Sequence, residues 1–268
     1  DSEISRVNRS GVGESMALSP AFAEVLQAAL DVGARSAGAY DITVGPLVDL
    51  WGFGAGSDAD WVLPSPDKVE HALTRVGQSA LKWDARRGTL VRRRAVTLDF
   101  SSIAKGYGVD RVAGVLEAQG LVDYLVEVGG EMRVSGVSPR GDAWRVAVEK
   151  PVAGQTGVAE ALEVTDIAVA TSGDYRNFVE VDGKRYSHTL DPRTGYPVTH
   201  NLVSVTVLHE RCMMADAWAT ALSVVGLDEA LRLAAENDLA VYLITRDGDA
   251  LQSQGSPAFT ARFGAVER

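Results

Sequence analysis

An aspartate and a threonine stand one helical turn apart in the apolar segment ADAWATALSVVG, residues 215–226. Asp216 and Thr220 share one face of a predicted helix, with Ser223 beside them. A carboxylate and a hydroxyl in this arrangement suit a hard divalent cation such as Mg²⁺, which prefers oxygen ligands and keeps coordination places for substrate phosphates. Asp216 and Thr220 are therefore predicted metal ligands. The alternative is a solvent-exposed polar face without a function.

A second group of polar residues lies in LDFSSIAKGYGVD, residues 98–110. A strand-like run leads Asp99 into a turn, and Lys105 opens a predicted helix. The N-terminus of a helix attracts anions through its free N–H groups, and a lysine there adds a positive charge for phosphate. The alternative is that Asp99 or Ser101 caps the helix. Capping would explain the serines but not Lys105, whose charge is unfavourable to the helix dipole at an N-terminus unless an anion arrives there.

Three further motifs place polar residues in turns. In EVGGE, residues 127–131, the paired glycines are typical of a hairpin. In ATSGDYRNF, residues 170–178, a strand runs into Ser172 and Asp174. In HTLDPRTGYP, residues 188–197, the Asp-Pro and Thr-Gly pairs indicate a sharp surface loop. Each motif alone predicts a turn, and together they are expected to converge on one site.

The secondary-structure elements that must position these motifs are predicted to be mainly helices early in the chain and mainly strands later. Helices are predicted over about 20–37, from Pro66 towards Gly77, and over about 104–118, 212–225 and 228–236. Strand-like runs are LKW, TLV, VTLDF, YLVEV, MRVSGV, WRVAVEK, IAVATS, FVEVDG, LVSVTVLH and AVYLITRDG. Helices gathered early and strands in a long consecutive run favour an α+β fold with a largely antiparallel sheet over a doubly wound fold.

Composition excludes several classes of protein. With 268 residues, 46% of them hydrophobic, the chain is long enough for one large core or two fused subdomains. The net charge of -10 argues against binding nucleic acid. The single cysteine, Cys212, excludes an intramolecular disulfide and a cysteine-rich metal site. No P-loop, HExxH or GxSxG motif occurs, and no apolar run reaches about 18 residues, so the chain is expected to be soluble.

Seven motifs in a fixed order resemble the ApbE family of FAD:protein FMN transferases. They are GAYDITVGPL (38–47), LWGFG (50–54), LDFSSIAKGYGVD (98–110), EVGGE (127–131), TSGDYRNF (171–178), SHTLDPRTGYP (187–197) and ADAWATAL (215–222). The resemblance runs from about Asp1 to near the C-terminus. It implies an α+β, ApbE-like (T-fold-related) single domain, residues 1–268, made of two fused subdomains with a largely antiparallel sheet flanked by helices.

The resemblance also implies an activity. Family members use Mg²⁺, take FAD as a substrate, attach FMN through its phosphate to a threonine of an acceptor protein and release AMP. The implied acceptors are subunits of flavin-carrying respiratory electron-transfer complexes. The Mg²⁺ dependence agrees with the oxygen ligands read from the helix pattern.

Individual roles follow from the resemblance position by position. Asp216 and Thr220 match the metal ligands of the family, and a backbone oxygen of the Ser101–Ser102 turn completes the set, with Ser102 as the predicted third ligand. Asp216, Lys105 and His188 are the predicted catalytic residues. Asp216 is also a possible general base, although a metal-bound carboxylate is a poor proton acceptor, so the base stays open. The positions that match FAD contacts are Asn8, Ala39, Tyr40, Asp41, Asp99, Lys105, Ser172 and His188.

Two other functions fit the same residues. In a FAD pyrophosphatase water would replace the threonine, so only an assay with an acceptor separates the two enzymes. A non-catalytic FAD-binding protein would be expected to lack Asp216 and Thr220, and both are present.

The sequence departs from the family at its start, where a short strand and a methionine-containing segment usually precede SEISRVN (2–8). Family members are commonly exported, often as lipoproteins, so we expect a location in the periplasm or on the outer face of the cytoplasmic membrane, and a lipid-anchored precursor.

Overall fold

The computed structural model describes residues 2–54, 61–152, 157–173, 178–181 and 184–266. Its helices are α1 (Glu3–Arg9), α2 (Pro20–Arg35), α3 (Gly45–Leu50), α4 (Pro66–Leu73), α5 (Ala104–Ala118), α6 (Cys212–Val225), α7 (Leu227–Glu236) and α8 (Pro257–Phe263), with a 3₁₀ turn over Gln78–Ala80. Its strands are β1 (Ser15–Ala17), β2 (Leu81–Asp84), β3 (Thr89–Arg92), β4 (Tyr124–Val128), β5 (Glu131–Ser135), β6 (Trp144–Glu149), β7 (Val158–Val164), β8 (Ile167–Gly173), β9 (Phe178–Val181), β10 (Lys184–Ser187), β11 (Leu202–His209), β12 (Ala240–Asp247) and β13 (Ala250–Gly255). In these ranges no helix has the length and apolarity that a membrane span requires.

The chain divides into two compact units. The first unit comprises Asp1–Ser102 and Val179–Thr199, and the second comprises Ile103–Phe178 and His200–Arg268. In the first unit, β1, β3 and β2 form an antiparallel sheet. A separate apolar cluster of this unit is built around Trp51, whose indole N–H donates to the Gly195 carbonyl at 2.8 Å.

The second unit contains a six-stranded antiparallel sheet. Its strand order is β13-β12-β11-β8-β5-β4, and each neighbouring pair is antiparallel. Helix α6 packs on β8 and β11 and also against α5. A second apolar cluster joins the β6–β7 hairpin to the same sheet through Val146, Leu162 and Ile244. The predicted α+β class with a largely antiparallel sheet is confirmed.

Helix α6 follows its predicted bounds because almost every side chain in it is apolar and buried. Residues 212–219 are all buried, as expected for a helix that is enclosed by other elements around its circumference. The helix ends at Gly226, whose positive φ of 78° a residue with a side chain would adopt only with strain. The one charged residue of the helix is therefore carried into the interior of the unit.

The run VTLDF, which the sequence predicts as a strand, forms no strand. The side-chain amide of Asn8 instead bonds both backbone groups of Leu98, accepting from its N–H at 2.8 Å and donating to its carbonyl at 2.9 Å. The next N–H, of Asp99, donates to the Ile42 carbonyl at 2.7 Å. The Asn8 side chain thus supplies the hydrogen bonds that a neighbouring strand would make, so the backbone N–H and carbonyl of Leu98 are both bonded without strand pairing.

Candidate functional site

Asp216 is a buried carboxylate in the second unit. It is 3% exposed, so the alternative of a solvent-exposed polar face is wrong for this residue. Its Oδ2 accepts the backbone N–H of Gly106 at 3.0 Å. Its Oδ1 lies 3.9 Å from the Nζ of Lys105, and the part of the chain that the structure describes provides no hydrogen bond to it. One carboxylate oxygen is thus held by the backbone while the other stays available for a ligand.

The close approach of α5 to α6 depends on Gly106. A Cβ at this position would lie 2.4 Å from the carbonyl oxygen of Cys212, so any side chain would force the two backbones apart. The contact is strengthened from α5 by Asp110, whose carboxylate accepts the N–H groups of Cys212 and Met213, each at 2.9 Å. A carboxylate of α6 thus binds one N-terminal N–H group of α5, and a carboxylate of α5 binds two N-terminal N–H groups of α6, which fixes Asp216 beside the start of α5.

The alternative in which Asp99 or Ser101 caps α5 is wrong. The N-cap position of α5 is Ile103, and no side chain bonds to the helix from there. Asp99 accepts the N–H of Ser101 at 2.7 Å and so closes its own turn. The N-terminal N–H of Gly106 is satisfied by Asp216, a residue more than a hundred positions away in the sequence.

Burial dominates the protonation of Asp216. Removal from water raises the pKa of this carboxyl group from its ordinary value of 3.8 to about 6. The charge of Lys105 and the hydrogen bond from Gly106 both lower this pKa, and the charge of Glu131 raises it. Asp216 is consequently ionised at pH values above about 6, where it can bind a cation.

Thr220 lies one turn beyond Asp216 on α6 and is half-buried. Its hydroxyl is 3.4 Å from the hydroxyl of Ser172 on β8. In the described ranges no group of three His, Cys, Asp or Glu side chains is placed to hold a metal. The available donors are all oxygens and few in number, which fits Mg²⁺, an ion that commonly uses one or two carboxylates and completes its shell with water and phosphate.

Lys105 lies between two carboxylates. Its Nζ contacts Oε1 of Glu131 and lies 3.9 Å from Oδ1 of Asp216. The expectation that the charge of Lys105 requires an anion from outside is therefore corrected, because Glu131 supplies a negative partner within the unit. Glu131 was missed as a site residue, and the available signal was an acidic residue directly after the glycine pair of EVGGE, at the start of β5. The hairpin predicted for Gly129 and Gly130 is confirmed by the antiparallel pairing of β4 and β5.

The first unit contains the other predicted site residues. Ala39 and Tyr40 are buried, and the hydroxyl of Ser102 donates to the phenol oxygen of Tyr40 at 3.1 Å. Asp41 accepts the N–H of Thr43 at 2.7 Å through Oδ1 and the N–H of Gln78 at 2.9 Å through Oδ2. Tyr40 and Asp41 thus have structural partners of their own, and their predicted contacts with FAD stay predictions.

His188 and Asn8 also belong to the first unit. The imidazole ring of His188 meets the ring of Phe53 edge-on, with a centroid separation of 6.2 Å. Asn8 is the residue that bonds the backbone of Leu98. The loop after His188 is closed by the N–H of Gly195, which donates to the Asp191 carbonyl at 2.8 Å, so the predicted sharp turn is confirmed.

Part of the predicted site lies outside the described residues. This part is residues 174–177 of the ATSGDYRNF motif, which include Asp174. The first four residues of the motif, from Ala170 to Gly173, form the end of β8. The structure therefore brings Lys105, Asp216 and Gly106 together, and separately Thr220 and Ser172, in the second unit.

Comparison with known proteins identifies relatives along nearly the whole chain. A sequence model of the ApbE family matches residues 1–243. The FAD:protein FMN transferase of Vibrio cholerae is 41% identical over 261 residues, which is 97% of this chain and 77% of that protein. The enzyme of the same name from Haemophilus influenzae is 41% identical over 264 residues, covering 97% of this chain and 76% of its own length. The solved structure of flavin transferase ApbE from Vibrio cholerae matches with a TM-score of 0.89 and 40% identity, over 98% of this chain and 83% of that one.

Proposed function

The chain belongs to the ApbE family and is a FAD:protein FMN transferase, and on that basis we propose that it uses Mg²⁺ to move FMN from FAD to a threonine hydroxyl, with release of AMP. The observation that carries the metal part of the proposal is Asp216. It is a buried carboxylate with one oxygen fixed by the Gly106 N–H and the other free of hydrogen bonds from the described residues. A buried carboxylate without a full set of partners is expensive, and a bound cation would compensate it.

Asp216 and Thr220 would hold the metal. The two side chains are one turn apart on α6, and the hydroxyl of Ser172 is 3.4 Å from that of Thr220. Bound Mg²⁺ would neutralise charge on the diphosphate oxygens and stabilise the phosphate that leaves. Ser102, which lies in the first unit, stays a predicted third ligand on the family resemblance.

Lys105 would bind the diphosphate. Its side chain is 44% exposed although its ammonium group contacts the buried Glu131, so the charge can be reached by an anion from solvent. A positive charge fixed beside the oxygens of a diphosphate is worth most in the transition state, where negative charge accumulates on the leaving phosphate. Lys105 is thus proposed as a catalytic residue in addition to the metal ligands.

The reaction proposed is a substitution at the phosphorus on the FMN side of FAD. The oxygen of the acceptor threonine forms the new P–O bond, and its proton passes to a general base. The bond from that phosphorus to the bridging oxygen breaks, and AMP leaves with the electron pair and the bridging oxygen. FMN is retained as a phosphoester of threonine, and no oxidant or reductant is consumed.

Contacts to the rest of FAD are proposed on the family resemblance. In the first unit they are Asn8, Ala39, Tyr40, Asp41, Asp99 and His188. We also propose, on the same resemblance, that the acceptors are subunits of respiratory electron-transfer complexes and that the enzyme works on the periplasmic side of the cytoplasmic membrane. Fractionation of cells that express the protein from its own gene tests the location, and recovery only in the cytosol would contradict it.

The activity is tested with a threonine-bearing acceptor domain, FAD and Mg²⁺. The acceptor is expected to gain the mass of an FMN phosphoester, and replacement of its threonine by alanine should stop labelling. Chelation of the divalent metal should stop both labelling and release of AMP. FMN supplied alone should not label the acceptor because it has no AMP leaving group, so labelling from FMN would contradict the proposed substitution.

A further inference from the structure

Glu131 is a second buried carboxylate in the same part of the second unit. It is 3% exposed and opens β5 directly after the Gly129–Gly130 turn, opposite Val128 of β4. Ionised carboxylates are almost never fully buried unless they are paired. The partner of Glu131 is the ammonium group of Lys105.

The pairing of Glu131 is incomplete. Oε1 contacts the Nζ of Lys105, whereas Oε2 is buried and accepts no hydrogen bond from the described ranges of the chain. The turn leaves space for this pair, because a Cβ at Gly129 would lie 3.3 Å from Cδ of Lys105 and 3.6 Å from Oε2. Gly129 also has a positive φ of 64°, so both its backbone conformation and its missing side chain suit the position.

The ammonium group of Lys105 lies near two carboxylates, those of Glu131 and Asp216. Its Nζ contacts Glu131 and stands 3.9 Å from Oδ1 of Asp216, the oxygen that the proposed metal would use. If the charge on Glu131 were absent, Asp216 would be the nearest remaining carboxylate among the residues that the structure describes, and the flexible lysine side chain could shift towards it. An ammonium group on Oδ1 would then compete directly with the metal.

We infer that Glu131 is a positioning residue that holds the Lys105 ammonium group off Asp216 and so keeps Oδ1 of Asp216 available to a divalent metal. This inference rests on the proposed function, because it assumes that Asp216 binds the metal. Glu131 itself is not a metal ligand in this account. Its effect passes through Lys105, as the effect of an outer residue on a metal site commonly passes through the group that it orients.

The direct test is metal affinity in the absence of FAD. Glu131→Gln keeps the volume of the side chain and removes its charge. We expect the affinity of the purified protein for Mn²⁺, measured by electron paramagnetic resonance titration and by calorimetry, to fall about 10- to 100-fold. The matched control is Glu127→Gln in the same hairpin. The Glu127 side chain is exposed and accepts the Gly130 N–H, so the metal affinity of this variant should stay within about twofold of the wild type.

A double-mutant cycle separates positioning from direct attraction of the metal. In the Lys105→Met background no ammonium group is left to compete, so adding Glu131→Gln should change Mn²⁺ affinity much less than it does in the wild type. If Glu131 attracted the metal directly, its removal would weaken binding at least as much in that background, and this result would overturn the inference. Circular dichroism and thermal unfolding of each variant confirm that only folded protein is compared.

Turnover gives a second readout. At saturating Mg²⁺ the Glu131→Gln variant should regain nearly wild-type kcat, while the Mg²⁺ concentration for half-maximal rate rises about 10- to 100-fold. A loss of kcat that no Mg²⁺ concentration restores would contradict a positioning role.

Failure of the proposed function can be distinguished from failure of this inference. If the proposed function were wrong, the wild-type protein would bind Mn²⁺ no better than Asp216→Ala. Wild-type binding that requires Asp216 but is unchanged by Glu131→Gln would overturn this inference alone.

Discussion

Replacing Asp216 by asparagine is expected to stabilise the metal-free protein at neutral pH while it abolishes metal binding. Asparagine is nearly isosteric with aspartate, and its side-chain oxygen can still accept the N–H of Gly106. It carries no charge, so it avoids the desolvation that raises the pKa of Asp216. The variant thus separates the contribution of the carboxylate to stability from its contribution to function.

The size of the effect follows from the pKa of Asp216. The pKa rises from 3.8 in an exposed carboxyl group to about 6 in the folded protein. Each unit corresponds to about 1.4 kcal/mol, so the ionised side chain lowers the free energy of unfolding by up to about 3 kcal/mol. Part of this gain is lost because the amide N–H₂ faces Lys105 and cannot accept a bond from it, so we expect Asp216→Asn to gain about 1 to 3 kcal/mol.

The sign of the pH dependence is fixed by the direction of the shift. Because the folded-state pKa is the higher one, the folded protein binds more protons than the unfolded chain between about pH 4 and 6. The free energy of unfolding of the wild type therefore decreases across this window as pH rises, and the loss is complete above about pH 6 to 7. Asparagine at position 216 has no such loss.

Urea denaturation with a chelator present, at about pH 8 and about pH 4, measures the difference. Asp216→Asn should exceed the wild type in unfolding free energy at the higher pH and approach it at the lower pH. Addition of Mg²⁺ should stabilise the wild type alone. A variant that is less stable than the wild type at the higher pH, or a difference that does not change with pH, would refute the reasoning.

Further predictions concern the surroundings of Asp216. Thr220→Val, which removes a hydroxyl with little change of volume, should raise the Mg²⁺ requirement about tenfold with little loss of fold, as a metal titration of the rate would show. Gly106→Ala places a methyl group against the Cys212 carbonyl and should lower the unfolding free energy by about 2 to 3 kcal/mol in urea. Lys105→Ala and His188→Ala should each lower kcat/KM for FAD, for Lys105 by about 100-fold or more; unchanged kinetics would contradict their roles.

Sequence patterns among neighbouring residues predict helices such as α6 and α2. Helix α6 has a long apolar run that ends at a glycine, and Ser19-Pro20 marks the start of α2, where the Ser19 side chain accepts the Phe22 N–H at 3.2 Å. Such signals involve neighbouring residues, so the sequence contains them. The polar helix α1 was not predicted because its one buried residue, Val7, gives no apolar period.

Contacts between distant residues could not be predicted in this way. The strand predicted over VTLDF is absent because Asn8, some ninety positions away, takes over the backbone bonds of Leu98. The pairing of Glu131 with Lys105 depends on the packing of the β4–β5 hairpin near α5, which no local spacing specifies. The burial of Asp216 likewise follows from the packing of α6 on β8, β11 and α5.

The stoichiometry of AMP and labelled acceptor tests the central claim most directly. FAD, Mg²⁺, the enzyme and an excess of a threonine-bearing acceptor are incubated together, and AMP, free FMN and the intact mass of the acceptor are measured from one sample. We predict one AMP for each acceptor that gains an FMN phosphoester, no free FMN above background, and neither product with Asp216→Ala. Release of AMP together with an equal amount of free FMN, while the acceptor keeps its mass, would show a pyrophosphatase and contradict the account.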